Sequence, residues 1–131
     1  MNTREIGRHY EEAAAAYLEN EGIRIIDRNV TCGKLGEIDL IGIDPDLPAV
    51  VVPGVDESVS GEEAGTIVFF EVKYRKSDAS GYPEEAVDLR KQKKIRRCAQ
   101  YYLAYRPGKM YVRFDVIAVQ GEEIRWYKDA F

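Results

Sequence analysis

Acidic side chains interrupt two segments of the sequence that otherwise show the apolar pattern of β-strands. Glu37 and Asp39 lie two positions apart in the first segment, and Glu71 and Lys73 lie two positions apart in the second. Because the side chains of a strand alternate between its faces, each pair shares one face of a sheet. The opposite faces carry the apolar residues Ile38, Leu40, Phe70 and Val72. Buried carboxylates are costly unless a cation compensates them, so the pattern indicates a divalent-metal site for phosphodiester hydrolysis.

The expected metal is Mg²⁺ or Mn²⁺, because hard ions prefer oxygen ligands. Asp39 and Glu71 would bind it, and the backbone carbonyl of Val72 could supply a further oxygen. The metal would activate a water and polarise the phosphate, while Lys73 would orient that water or stabilise charge in the transition state. Glu37 is interpreted as either a supporting ligand or a hydrogen-bond partner of the ligands.

A further acid, Glu11, lies on a predicted helix over residues 3–21. Asn2 can cap this helix, and Glu5 is the reciprocal acid three residues later. Glu11 lies at the edge of the apolar stripe of the helix, which must pack on the sheet. It could therefore ligate a second metal or hold a metal-bound water.

The strand residues also have a purely structural interpretation. Glu71 could form ion pairs with Lys73 and Arg75 on one strand face without any metal. A Glu-x-Lys sequence alone is weak evidence, since 32% of the residues are charged. The case for a metal site therefore depends on Asp39 and Glu11 reaching the same place.

The pattern along the chain predicts one α/β domain over residues 1–131, with a central mixed sheet flanked by helices. The predicted order is α-β-β-β-α-β-β. The second helix is expected to begin at Pro83 or after Asp88 and to end near Tyr105. Strands are expected at residues 23–27, 36–43, 66–74, 112–119 and 123–127. An acidic insertion at about 44–65 separates the second and third strands, and its apolar residues 49–52 could add a small hairpin.

The net charge of −4 and the isoelectric point near 5.1 argue at first against a nucleic-acid partner. However, residues 44–63 hold six acids and no base, and without them 17 of the 23 acids remain against 19 bases. Local patches decide phosphate binding more than the total charge does. The acidic segment could hinder the approach of DNA, bind a basic partner or be a solvated loop.

Six of the eight residues of Arg90–Arg97 are basic, a density that suits sequence-independent contacts to phosphates. On a helix, Lys91 would point towards the sheet and the proposed site, while Lys94 and Arg97 would lie on the exposed side. Arg75, at the end of the third strand, could extend this basic surface. The expected partner is a nucleic acid, most simply DNA. The alternative is a solvated helix face paired with nearby acids.

Other residues are interpreted as structural. Tyr101, Tyr102 and Tyr105 have helical spacing and are expected in the core or an interface rather than as platforms for bases. Arg113 and Asp115 share a strand face and are expected to form an ion pair at the sheet edge. The residues expected to pin the C-terminus to the core are Trp126 and Phe131.

The cysteines and the hydropathy pattern bear on location. Cys32 and Cys98 match no metal or redox spacing, so reduced structural thiols in the cytosol are expected. The sequence has no apolar run long enough for a transmembrane helix and no apolar region typical of a signal peptide near its start. The expected location is cytoplasmic, with no membrane partner.

In their order along the chain, the motifs resemble those of the bacterial YraN-like family of uncharacterised proteins. The motifs are Gly7…Glu11-x-x-Ala14-x-x-Tyr17-Leu18-x-x-x-Gly22, Arg28-Asn29, Gly36-Glu37-Ile38-Asp39-Leu40-Ile41, Phe70-Glu71-Val72-Lys73-x-Arg75, Gly81-x-Pro83-x-x-Ala86-Val87, Lys91, Ala99-x-x-Tyr102-Leu103, Arg113-Phe114-Asp115-Val116 and Trp126-x-x-x-Ala130-Phe131. Agreement over nearly the whole chain is far more specific than any single motif.

The resemblance implies a PD-(D/E)XK nuclease-like (restriction-endonuclease-like) fold, similar to archaeal Holliday-junction resolvases and restriction enzymes. It implies a catalytic core of Asp39, Glu71 and Lys73, assisted by Glu11. The implied function is metal-dependent endonuclease cleavage of DNA, branched DNA included, and a homodimer would suit the two equivalent strands of a branched substrate. The alternative is a non-catalytic nucleic-acid-binding or protein-interaction module that keeps the same fold.

The chain departs from the family pattern at two places. Tyr10 precedes Glu11, where the family usually has glycine, and a bulky side chain there could change how the helix approaches the sheet. The acidic segment 44–63 replaces a connection that is normally short.

Overall fold

The computed structural model describes residues 2–46, 65–75, 87–106 and 111–131, with the side chains of Leu35 and Arg75 left out. Within these ranges the predicted order of helices and strands is confirmed. The elements are α1 (Thr3–Asn20), β1 (Arg24–Thr31), a 3₁₀ turn (Gly33–Leu35), β2 (Glu37–Asp44), β3 (Thr66–Arg75), α2 (Leu89–Ala104), β4 (Tyr111–Gln120) and β5 (Glu123–Tyr127).

The five strands form one mixed sheet in the order β1-β2-β3-β4-β5. β3 and β4 are parallel, and the other neighbouring pairs are antiparallel. A parallel pair needs a crossover connection, and α2 lies in the segment that joins β3 to β4. The mixed sheet predicted from the sequence is therefore confirmed.

The two helices cover opposite faces of the sheet. α1 contributes Ala14, Ala15 and Leu18 to one buried cluster, and α2 contributes Ile95 and Cys98 to the other. Because both faces of β3 are covered, its centre is a continuous apolar run rather than an alternating one. The four residues Ile67, Val68, Phe69 and Phe70 are at most 1% exposed. None of the described helices could span a membrane.

The helix starts agree with the capping signals in the sequence. Asn2 and Glu5 form the predicted capping box at α1. Of the two predicted starts of the second helix, the one after Asp88 is confirmed, because Asp88 Oδ1 accepts a hydrogen bond from Lys91 N at 2.8 Å. The predicted helix starts were therefore accurate where a local side-chain cap was available.

β1 is longer than the sequence pattern indicated. It was expected to end at Asp27, but pairing with β2 extends it to Thr31, where Val30 lies opposite Ile38. This end of β1 is largely exposed, so it lacks the apolar alternation that predicts a strand. Its conformation is imposed by the neighbouring strand.

The prediction of two reduced thiols is wrong. Cys32 and Cys98 form a disulfide with an S–S distance of 2.00 Å, although they are 66 residues apart in sequence. Cys32 follows β1, and Cys98 lies on the buried side of α2, so the bond ties the helix to the edge of the sheet. Sequence spacing gave no sign of this proximity because only the folded sheet creates it.

Arg113 and Asp115 form the predicted ion pair at 2.9 Å, but not at an edge. Their strand, β4, lies between β3 and β5. Asp44 joins the pair through a 3.1 Å contact with Arg113, so this acid of the insertion is buried rather than solvated. Residues 47–64 of the insertion, with the proposed small hairpin, lie outside the described residues.

The C-terminal aromatic residues pack as predicted. Phe131 stacks on Phe114 with 5.3 Å between ring centroids. Trp126 packs against the cluster on the α1 face, and its indole Nε1 donates a hydrogen bond to Asp115 Oδ2 at 2.8 Å. These contacts fix the chain after β5 to the core.

Candidate functional site

Asp39 lies where β2 separates from β3. The pairing of these strands runs from Asp44 opposite Thr66 to Leu40 opposite Phe70 and does not continue to Asp39. Instead, Asp39 Oδ2 accepts a hydrogen bond from the backbone N of Val72 at 2.8 Å. The backbone N–H of Val72 therefore bonds to the Asp39 carboxylate instead of to a backbone carbonyl of β2. This happens where the pairing of β2 with β3 ends.

The alternation predicted around Asp39 is only partly correct. Phe70 and Val72 pack in the same cluster, on the α1 face, as expected. Ile38 and Leu40 were also expected to share a face, but Ile38 packs in the cluster on the α2 face and Leu40 in the other. Pairing with β3 ends at Leu40, so the regular pleat of β2 is no longer held from both sides beyond it.

Two lysines hold Glu71. This carboxylate is 5% exposed, and its Oε1 lies 2.5 Å from Lys91 Nζ and 3.5 Å from Lys73 Nζ. The ion pair with Lys73 was part of the structural interpretation of the sequence, and the position of Lys91 was predicted from its place on α2. Because α2 supplies Lys91, the helix closes the site from one face of the sheet.

Burial raises the pKa of Asp39 to about 8, and the negative charge of Glu71 adds to that shift. The hydrogen bond from Val72 opposes the rise. The pKa is raised because the carboxylates of Asp39 and Glu71 lie together in a largely buried site where nearby cations compensate only part of their charge. A cation bound between these carboxylates would compensate the remaining negative charge, so the site favours cation binding.

The pKa values of Lys73 and Lys91 are shifted in opposite directions. The pKa of Lys73 is lowered, first by burial and then by the neighbouring Lys91. Burial also acts to lower the pKa of Lys91, but its hydrogen bond to Glu71 and the charge of Glu71 outweigh that effect, so the pKa is raised. Lys91 is therefore the fixed positive charge of the pair, and Lys73 is the group that loses its proton more readily.

Glu11 and Glu37 form a second acidic group beside the first. Burial, followed by the charge of Glu37, raises the pKa of Glu11. With its side-chain amide turned to satisfy both acids, Asn29 donates 2.8 Å hydrogen bonds to Glu11 Oε2 and to Glu37 Oε1. Charge interactions also connect Glu11 with Asp39 and Glu71. The four predicted acids are thus electrostatically one site, with Asn29 as a bridge.

The sequence reasoning did not assign Asn29 to the site. It lies in β1 between residues paired with Leu40 and Ile38, and therefore opposite Asp39. Its φ is 49°, in the left-handed region that asparagine tolerates better than most residues. The sequence shows only that an asparagine precedes the first acidic strand. The pairing register of β1 with β2 is needed to place Asn29 beside the acids.

We expect Asn29→Ala to lower the free energy of unfolding by about 1–2 kcal/mol, since it removes the bridge and places a Cβ-bearing residue without a polar side chain at a positive φ. Asn29→Gly keeps the backbone conformation and loses only the amide, so it should recover about 1 kcal/mol. Urea unfolding measures both. Equal losses in the two variants would show that the backbone conformation plays no part.

Tyr10 does not disturb the approach of α1. Its ring stacks on that of Tyr74 in β3, with 4.4 Å between centroids and 11° between planes. Both rings pack against the cluster on the α1 face. The bulky residue before Glu11 therefore adds a contact between helix and sheet.

The donor set suits a hard divalent ion with few protein ligands. Among the described residues, no group of three or more His, Cys, Asp and Glu side chains is arranged to hold a metal. Glu11 is accordingly not part of a closed ligand set with Asp39 and Glu71. Mg²⁺ commonly uses one or two carboxylates and keeps several waters. Asp39, Glu71 and the carbonyl of Val72 fit that description, and metal binding stays a prediction.

The basic residues divide by position. Lys91 and Lys94 line a surface depression beside Gly36 and Glu37, next to the acidic group. Arg97 lines a separate depression further along α2. Arg75 ends β3, but its side chain lies outside the described part of the chain. Lys91 and Lys94 are therefore the predicted phosphate contacts that reach the site.

Comparison with known proteins gives one consistent family. The model of "Uncharacterised protein family UPF0102" matches residues 10–119. A UPF0102 protein of Fusobacterium nucleatum is 38% identical over 130 residues, covering 98% of this chain and 92% of the relative. One from Lachnoclostridium phytofermentans is 38% identical over 133 residues, covering 100% and 96%. One from Caldicellulosiruptor saccharolyticus is 40% identical over 121 residues, covering 91% and 85%. The chain belongs to the UPF0102 (YraN-like) family, as its motifs predicted.

Proposed function

We propose that this protein is a Mg²⁺- or Mn²⁺-dependent endonuclease with a PD-(D/E)XK-type site, cleaving DNA by phosphodiester hydrolysis. The observation that carries the proposal is the meeting of Asp39, Glu71 and Lys73 where β2 separates from β3. A mixed sheet with one helix on each face supports the fold assignment. The charge interactions that link Glu11 to both acids support its assisting role.

In this proposal Asp39, Glu71 and the carbonyl of Val72 would hold the metal. When bound, the metal supplies water activation and polarisation of the scissile phosphate. Lys73 would orient the attacking water or stabilise the negative charge that develops in the transition state. Lys91 forms an ion pair with Glu71 and would contact a phosphate bound beside the acids. Glu37 acts through its hydrogen bond with Asn29.

The proposed partner is DNA, bound through the basic side of α2. Lys91 and Lys94 stand beside the acids, where they can compensate the charge of a phosphate backbone. A homodimer would present two such sites to the two strands of a branched substrate.

The proposed location is the cytoplasm, because DNA is the proposed substrate. Reduced cysteines no longer support this location, since Cys32 and Cys98 are bonded to each other.

A non-catalytic binding module is the second candidate. Glu71 already has two lysine partners, and no three-ligand metal set exists among the described residues. A site of this kind could hold a phosphate or a protein partner without hydrolysis. The overall acidity, with a net charge of −4, also favours this candidate.

Cleavage assays separate the two functions. Branched, duplex and single-stranded DNA are incubated with Mg²⁺ or Mn²⁺ and wild type, Asp39→Ala or Lys73→Ala. We expect cleavage only with metal, and a rate at least about a hundredfold lower for Lys73→Ala. Arg125→Ala removes one positive charge from an exposed position of β5 and should cleave at the wild-type rate. Equal cleavage by wild type and both site variants would refute the proposed site. Binding of DNA without cleavage would favour the second candidate.

A further inference from the structure

One stripe of α2 combines two cations with two exposed aromatic rings. The stripe consists of Lys94, Arg97 and Tyr101 of α2 and of Tyr105, the residue that caps its C-terminal end, at intervals of three or four residues. This spacing places them on one side of the helix, over a length of about 16 Å. We call these four residues the α2 stripe.

The tyrosines of the stripe are not core residues. Tyr101 is 60% exposed and Tyr105 is 87% exposed. The three tyrosines were expected in the core or an interface, and Tyr102 alone among them packs against the cluster on the α2 face. Both rings therefore present most of their surface to solvent, where a partner could contact them.

The α2 stripe continues from the proposed active site. Lys94 lines the depression that also contains Lys91 and Glu37. Arg97 and Tyr101 line the next depression along the helix. Tyr105 lines a third one, with Tyr101 again and with residues at the end of β1. A bound chain could therefore follow the helix from its C-terminal end to the acids.

The charge of the stripe favours an anionic occupant. Neither Lys94 nor Arg97 forms an ion pair with a carboxylate among the described residues. Proteins hold unpaired nucleic acid by combining cations with aromatic rings: the cations follow the phosphates, and the bases stack on the rings. Duplex DNA offers its phosphates but not the faces of its bases. The tyrosines thus select for an unpaired strand.

We propose that the α2 stripe binds a single-stranded segment of nucleic acid, with bases stacked on Tyr101 and Tyr105 and phosphates held by Lys94 and Arg97. The inference rests on the proposed function of the neighbouring acids and makes it more specific. The substrate would carry an unpaired strand, as a fork, flap or gapped duplex does, and that strand would lead along α2 to Asp39 and Glu71.

Binding without metal tests this inference apart from catalysis. Fluorescence anisotropy with a labelled oligothymidylate strand, and with the same strand paired to its complement, is measured in a chelator. We expect Tyr101→Ala/Tyr105→Ala to bind the single strand at least about tenfold more weakly than wild type and the duplex equally well. Tyr101→Phe/Tyr105→Phe should retain binding, because the ring face is kept. Leu89→Ala removes an exposed apolar side chain, 72% accessible, from another side of α2 and is the matched control.

Three outcomes would overturn the inference: unchanged binding of the single strand by the alanine variant, equal losses for single strand and duplex, or a change in oligomeric state that makes the stripe a contact between copies of the chain. A different result would show that the nuclease proposal is wrong while this inference holds. Wild type would then bind the single strand through the tyrosines and leave every substrate uncut in Mg²⁺ and Mn²⁺.

Discussion

Replacing Asp115 with alanine is expected to lower the free energy of unfolding by about 3–5 kcal/mol. Asp115 is fully buried at the centre of β4. Its carboxylate accepts hydrogen bonds from Arg113, from Trp126 Nε1 at 2.8 Å and from the backbone N of Asp129 at 2.8 Å. Without it, Asp44 is the one remaining carboxylate partner of the largely buried Arg113 guanidinium in the described part of the chain, and two N–H groups lose their acceptor. Unpaired buried polar groups carry their full desolvation cost.

Urea unfolding followed by the fluorescence of Trp126, the single tryptophan, measures this loss directly. Asp115→Asn keeps one acceptor oxygen and should cost less than the alanine change. Glu123→Ala removes an exposed acid that pairs with Arg125 and should stay within about 1 kcal/mol of wild type. A loss for Asp115→Ala no larger than for Glu123→Ala would show that the network adds nothing to stability.

The variant Asp39→Asn is expected to be more stable than wild type at pH 8.5. The pKa of Asp39 lies at about 8 in the folded protein against an ordinary value of 3.8, so between these values the folded state binds more protons than the unfolded state. Stability therefore falls as pH rises through this window, by up to about 1.4 kcal/mol for each pH unit. Asparagine cannot ionise, yet its side-chain oxygen can still accept the hydrogen bond from Val72.

The difference in free energy of unfolding between Asp39→Asn and wild type, measured from pH 5 to pH 9 without divalent ions, isolates this residue from other titrating groups. It should grow with pH and level off above about pH 8. Added Mg²⁺ or Mn²⁺ should stabilise wild type and have little effect on the variant, because binding to the folded state alone raises stability. A constant difference across the pH range would mean that Asp39 carries no unfavourable charge.

Local signals in the sequence were sufficient for much of the fold. The caps Asn2 and Asp88 use side chains within three residues of their targets, so the helix starts could be read from the sequence. The apolar run of β3 marks a strand covered on both faces, and Glu71 stands out within it. The place of Lys91 followed from helical periodicity alone.

The remaining features depend on contacts between distant parts of the chain. Asn29 gains its role only because β1 pairs with β2 in one register. The bond between Cys32 and Cys98 and the contact between Asp44 and Arg113 likewise join residues more than 60 positions apart. The exposure of Tyr101 and Tyr105 depends on which side of α2 the sheet covers. Periodicity and spacing carry no information on such partners.

The most direct test of the metal-dependent nuclease site is the rate of DNA cleavage by Asp39→Asn in Mg²⁺ or Mn²⁺ at pH 8.5, on whichever DNA structure wild type cuts. The substitution changes one oxygen to nitrogen and should leave the protein folded and more stable, so lost activity cannot be attributed to unfolding. We expect no cleavage above background, because the carboxylate that would hold the metal is gone. Cleavage by Asp39→Asn at the wild-type rate would contradict the metal-binding role of this residue and the proposed mechanism.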